Sequence, residues 1–180
     1  MLSFKKAIFR VLCLCCVLIG GGGGLMAESN PEELFDLGML SYDKQDFSKA
    51  RKYFEKACDL KYGGGCGNLG VLYQNGQGVE KDLTKAAYFY SKACELKDGL
   101  GCKDLGALYY NGKGVEKDFK KALALFEKAC DLNNGRGCNN LGVLYEYGQE
   151  VEKDLIKAAY FYSKACKLGE QLACEVLKEK

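Results

Sequence analysis

Four times in this chain a cysteine is followed, after seven residues, by a second: Cys58/Cys66, Cys94/Cys102, Cys130/Cys138 and Cys166/Cys174. Each first cysteine follows an alanine (Ala57, Ala93, Ala129, Ala165), and each pair begins 36 residues after the last. A fixed period in the range of roughly 20–50 residues means stacked copies of one small unit, each burying its apolar face only against its neighbours.

Three full units read off at that period, 67–102, 103–138 and 139–174, with a shorter one at 31–66 and a charged terminal cap at 175–180. Each unit is two helices. The first carries Leu-Gly-x-Leu-Tyr, as in Leu69, Gly70, Leu72 and Tyr73. The second opens on Asp82, Asp118 or Asp154, good N-caps, and presents Leu83, Ala86, Tyr90 and Ala93 at helical spacing. Between them runs Asn-Gly-x-Gly-Val-Glu-Lys-Asp at 75–82 and again at 111–118. Its first glycine suits a left-handed helix end and its second a tight return. The last unit has Glu150 at the second glycine, and the first unit lacks four loop residues. At the start, Asn30, Pro31 and Glu33 make a capped helix N-terminus. A second helix follows Asp46 with Phe47, Ala50, Tyr53, Phe54 and Ala57 on one stripe.

Residues 1–27 do not belong to this pattern. Lys5, Lys6 and Arg10, an apolar run at 11–19 and a small-residue site near Ala27 read as a secretory signal peptide. The run is too short for a span, which needs about 20 apolar residues. No small residue precedes Cys13, Cys15 or Cys16, which speaks against lipidation. Removing the segment leaves 28–180, eight cysteines all in the repeated pairs, and a net charge that moves from +2 to −1. An even, regular cysteine set in an exported protein reads as a disulfide framework, and the expected location is secreted or periplasmic, off the membrane once the signal is removed. Nothing resembles the concentrated basic footprint of a nucleic-acid binder.

The Leu-Gly-x-Leu-Tyr, Gly-x-Gly-Val and Lys-Ala-x-x-x-Tyr elements at this period resemble Sel1-like repeats, relatives of the tetratricopeptide repeat. The added Ala-Cys…Cys pair in every unit is similar to the Helicobacter cysteine-rich proteins, a secreted subgroup. The resemblance covers nearly all of 28–180; Glu150, Gln171, Ala173 and the short first loop depart from it. It implies an all-α fold, a right-handed superhelical α/α solenoid of helix pairs stapled by disulfides. It also implies penicillin binding and slow β-lactam hydrolysis.

Each cysteine pair spans the hairpin between one unit's second helix and the next unit's first, a geometry that permits local disulfides. Thiolate zinc sites are the competing reading, though zinc ligands usually come about two to four residues apart and the chain has no histidine. No cofactor is implied. The stretch from Gly106 to Lys113 misses a phosphate-binding loop in spacing and has Gly114 where Ser or Thr must hold magnesium. Ser41 and Lys44 fit the Ser-x-x-Lys of serine β-lactamases, but no companion motif accompanies them, and Ser41 reads as a surface helix residue. Aromatic runs such as Tyr88-Phe89-Tyr90 read as packing. What remains is a stacked strip on the first helices: Asn68, Gln74, Asn75, Asp104, Tyr110, Asn111, Asn140 and Glu146. Such strips line concave binding surfaces in helical repeats. Their amides, carboxylates and phenols suit a peptide or protein ligand, including peptide-bearing peptidoglycan fragments; β-lactams enter as ligands only through the resemblance.

Overall fold

A computed structural model describes residues 30–179; the proposed signal peptide lies outside the described residues. Those residues form helices and connecting turns, with no strand among them. The helices are α1 (Pro31–Asp43), α2 (Phe47–Asp59), α3 (Gly63–Asn75), α4 (Leu83–Glu95), α5 (Gly99–Asn111), α6 (Phe119–Asp131), α7 (Gly135–Tyr147), α8 (Leu155–Lys167) and α9 (Gln171–Lys178). Capping chemistry sets their starts. Asn30 accepts from the Glu32 N–H, and Asp46, Asp82 and Asp118 accept from the N–H three residues on. Gly76, Gly112 and Gly148 end α3, α5 and α7 in the left-handed conformation. Among the described residues no helix is long and apolar enough to cross a membrane.

Each second helix (α2, α4, α6) packs on its own first helix and on the first helix of the next unit. First helices also touch in series, α3 on α5 and α5 on α7, and so form one continuous layer. Within a unit the two helices close up around a glycine. A Cβ built on Gly70 would lie 2.5 Å from the Tyr90 ring, and Gly38, Gly106 and Gly142 meet Phe54, Phe126 and Tyr162 in the same way. Glycine costs a helix about 1 kcal/mol against alanine. Complete burial of an aromatic ring on its open face offsets that, since burying a large apolar side chain contributes about 1.5–3 kcal/mol.

Successive units are joined covalently. Disulfides link Cys58–Cys66, Cys94–Cys102, Cys130–Cys138 and Cys166–Cys174, with Cα separations of 4.6, 4.5, 4.6 and 4.8 Å. The second cysteine of each pair is the fourth residue of α3, α5, α7 or α9, so every bridge ties a second helix to the helix that follows. Among the described residues all eight cysteines are in disulfides, which leaves no thiolate there to hold zinc. Closing a loop of this length contributes about 2.6 kcal/mol per bridge on the chain-entropy account. The turns inside these loops are strained: Lys61, Lys97 and Asn133 have φ of 63°, 64° and 60°. Such backbone persists where its surroundings over-determine it, and here a sulfur bridge closes across each turn.

Candidate functional site

The strip residues fall on α3, α5 and α7 in three rows. Asn68, Asp104 and Asn140 are equivalent positions; so are Gln74, Tyr110 and Glu146, and so are Asn75, Asn111 and Tyr147. Leu69 and Leu72, beside them on α3, are buried beneath the strip. Many of the polar groups are already engaged. The Asn68 amide donates to the Gly64 carbonyl at 3.0 Å, Asn111 to Ala107 at 2.7 Å, and Asn75 to Gln77 Oε1 at 3.2 Å.

The second row is tied into the scaffold in two alternating ways that the sequence reading missed. In the second and fourth units the first helix supplies the acceptor: Tyr90 donates to Gln74 at 3.2 Å and Tyr162 to Glu146 at 2.6 Å. In the first and third units the first helix supplies the phenol, and it reaches across to the next unit's loop. Tyr42 donates to Gln77 at 3.0 Å, and Tyr110 donates to Gln149. The signal was in the sequence. Second helices alternate between Phe-Glu-Lys-Ala-Cys (54–58, 126–130) and Tyr-Ser-Lys-Ala-Cys (90–94, 162–166), a repeat of two units. Burial pushes the Tyr90 and Tyr162 phenols above their ordinary range, with the charges of Asp104 and Glu146 adding to it.

Asp104 is the charged centre of the strip. It pairs with Lys103, and both side chains are largely buried. Burial raises its pKa and Asp98 adds to the rise, while Lys103 and, more weakly, Arg136 oppose it. At this position the neighbouring units carry the neutral amides of Asn68 and Asn140. A carboxylate that is costly to ionise, beside an ammonium, is a site a polar ligand can relieve by hydrogen bonding to either group.

Ser41 requires a correction. It is not on the surface: it is 6% exposed, and its hydroxyl donates to the Leu37 carbonyl at 2.8 Å. The cause is position, since it stands where the other first helices place a half-buried tyrosine. Lys44 is the C-cap of α1, and among the described residues no hydrogen bond joins it to Ser41. A nucleophile needs a base within hydrogen-bond reach, and this arrangement supplies none. The tyrosine-rich run divides as its spacing directs, with Tyr90 buried, Phe89 half-buried and Tyr88 exposed.

Paired helices at this period, with glycine-seated rings and left-handed glycine turns, define a helical repeat scaffold, the class of protein that generally mediates contacts between proteins. A family model for the Sel1 repeat matches residues 65–98, 100–134 and 135–170, and one for the tetratricopeptide repeat matches 31–62. The chain belongs to the Sel1-repeat family, in the cysteine-rich branch. Helicobacter pylori cysteine-rich protein B superposes with a TM-score of 0.58 at 36% identity, over 87% of this chain and 99% of that one. A Sel1 repeat protein from Oxalobacter formigenes gives a TM-score of 0.74 at 28% identity, over 83% of this chain and 63% of the other. HcpC of Helicobacter pylori strain J99, provisionally named a β-lactamase, is 61% identical over 79 residues, 44% of this chain and 26% of its own. HcpA of the same strain, named a β-lactamase, is 52% identical over 79 residues, 44% of this chain and 30% of its own. The chain therefore matches little more than a quarter of these curated relatives' length.

Proposed function

We propose that this chain is an extracytoplasmic repeat scaffold, secreted or periplasmic, whose first-helix layer is a concave surface that binds extended peptide-like ligands. Four disulfides favour an oxidising compartment. The observation that carries the reading is the Lys103–Asp104 pair. It is a half-desolvated charged centre in a row where other units hold amides, and the exposed Asn75, Asn111 and Tyr147 form a second row about two turns further along the first helices. The ligand class is a peptide or protein segment, including the peptide arms of peptidoglycan fragments.

The test is selection of displayed random heptapeptides on the oxidised protein, followed by titration of the selected peptides and of soluble peptidoglycan fragments. Truncation of a binding centre costs about 2 kcal/mol or more, so a Lys103→Ala/Asp104→Ala double variant is expected to lose at least about tenfold in affinity. Peptides that bind the double variant as tightly as the wild type would refute the strip as the site.

The relatives named as β-lactamases motivate a second reading, slow hydrolysis of β-lactams. The burial of Ser41 and its hydrogen bond to Leu37 weigh against it. Incubation with a chromogenic cephalosporin decides: turnover that Ser41→Ala abolishes restores the enzyme reading, and absence of turnover leaves the scaffold.

A further inference from the structure

Three of the four units seat an aromatic ring in the same place. Tyr73, Tyr109 and Tyr145, each next to the second leucine of a first helix, lie under a second-helix lysine. Lys85, Lys121 and Lys157 stand 5.4, 5.1 and 5.1 Å from the ring centroids. In two of these units the ring also stacks on a second-helix phenylalanine. Tyr73 lies 5.4 Å from Phe89 at 11°, and Tyr145 lies 5.6 Å from Phe161 at 9°.

The first unit has the seat without the ring. Its residue at this position is Ser41, while Lys49 corresponds to Lys85 and Tyr53 to Phe89. The register is fixed by structure: Gly38 meets Phe54 as Gly70 meets Tyr90, and Asp46 caps the Lys49 N–H as Asp82 caps that of Lys85. A cavity of about 90 Å³ lies there, lined by Leu37, Leu40, Ser41, Lys44, Asp46, Lys49 and Tyr53, so that two lysines stand against one carboxylate. Leu37 and Leu40 are 40% and 51% exposed, whereas their equivalents Leu69 and Leu72 are 1% and 0% exposed. The lysine is different too. Lys85, Lys121 and Lys157 each pair with their capping aspartate at 3.5–3.8 Å. Among the described residues Lys49 and Lys44 have no carboxylate within ion-pair distance.

We propose that this vacant seat takes an aromatic side chain, tyrosine or phenylalanine, from a partner polypeptide with acidic residues beside it. The incoming ring stacks on Tyr53, rests on Leu37 and Leu40, and receives Lys49 on its face, reproducing the seating of Tyr73. Lys44 and Lys49 complement the acidic flanks. Apolar cavities of about 150 Å³ hold a whole benzene; this smaller, open one grips a ring whose far edge stays in water. The proposal shares no residue with the first-helix strip, so either reading can fail alone.

The test is methyl NMR of the oxidised protein titrated with N-acetyl-tyrosinamide, N-acetyl-leucinamide and the blocked tripeptides Glu-Tyr-Glu and Lys-Tyr-Lys. The tyrosine probes are expected to move the Leu37 and Leu40 methyls upfield and saturably, Glu-Tyr-Glu more tightly than Lys-Tyr-Lys, and the leucine probe not at all. Ser41→Tyr supplies the ring the other units carry; it is expected to fold and to abolish the response. Lys49→Gln, on the surface, is expected to weaken binding about two- to fivefold. The proposal is overturned if the tyrosine probes leave both methyls unmoved, if the leucine probe matches them, or if the acidic flanks give no advantage. It is overturned equally if folded Ser41→Tyr binds as the wild type does. Should that variant not fold, unchanged affinity in Lys49→Gln overturns it.

Discussion

Gly114→Ala isolates the contact by which each loop seats its unit on the one before. Gly114 has φ 73°, and an added Cβ would stand 2.4 Å from both the carbonyl carbon and the oxygen of Leu83, with the Leu83 Cβ at 2.6 Å. Two of those three atoms are backbone, so relief requires the loop to lift away from the N-terminus of α4. The left-handed conformation costs a non-glycine residue about 1–2 kcal/mol, and overpacking a close contact typically adds about 1–3 kcal/mol. Against this, alanine lowers the entropy of the unfolded chain, worth about 0.4–1 kcal/mol. The net expectation is a loss of about 2–4 kcal/mol, read by equilibrium denaturation of the oxidised protein. The last unit provides the internal comparison. There the equivalent residue is Glu150, exposed at φ 58°, so the loop already accommodates a side chain. Glu150→Gly relieves strain and loosens the unfolded chain, and should change stability by less than about 1 kcal/mol. A Gly114→Ala protein within about 0.5 kcal/mol of wild type, the scatter of ordinary surface changes, would refute the seating argument.

Removing the second bridge with Cys94→Ala/Cys102→Ala should cost about 2.6 kcal/mol, measured by the same denaturation. Tyr162→Phe should cost more than Tyr90→Phe in thermal unfolding, because Tyr162 donates to a carboxylate, worth about 1.5–3 kcal/mol, and Tyr90 to a neutral amide, worth about 0.5–1.5 kcal/mol. Carboxyl titration by NMR should place Asp104 above the ordinary 3.8, through burial, and Asp82 and Asp118 below it, through the backbone N–H groups of Lys85 and Lys121. The signs for stability are opposite. Asp104, raised in the folded state, contributes stability below its unfolded pKa and loses it as pH rises through the folded value. Asp82 and Asp118, lowered, contribute above the unfolded pKa and lose it as pH falls through theirs.

Architecture was legible because it is local and repeated. Asp46, Asp82 and Asp118 announce helix starts by their own chemistry, and the Ala-Cys…Cys spacing fixes which helix ends lie together. The glycine of Leu-Gly was readable as a close approach; that it receives an aromatic ring was not, because the ring arrives from twenty residues away (Gly70 and Tyr90). The strip residues do share one layer of first helices, but many are already engaged. Gln74, Tyr110 and Glu146 look like a free polar row when read along one helix, and only the position of the neighbouring helix or loop shows that each is engaged. Ser41 was misread for a related reason. Amphipathic spacing treats serine as solvent-facing, whereas the seat it occupies is built by the residues around it.

The account stands on units locked in sequence by sulfur bridges, each from a second helix to the next first helix. Peptide mapping of the unreduced protein by mass spectrometry tests this most directly. It should return Cys58–Cys66, Cys94–Cys102, Cys130–Cys138 and Cys166–Cys174 with no free thiol among them. Links between cysteines of different pairs, or titratable thiols in those positions, would contradict it.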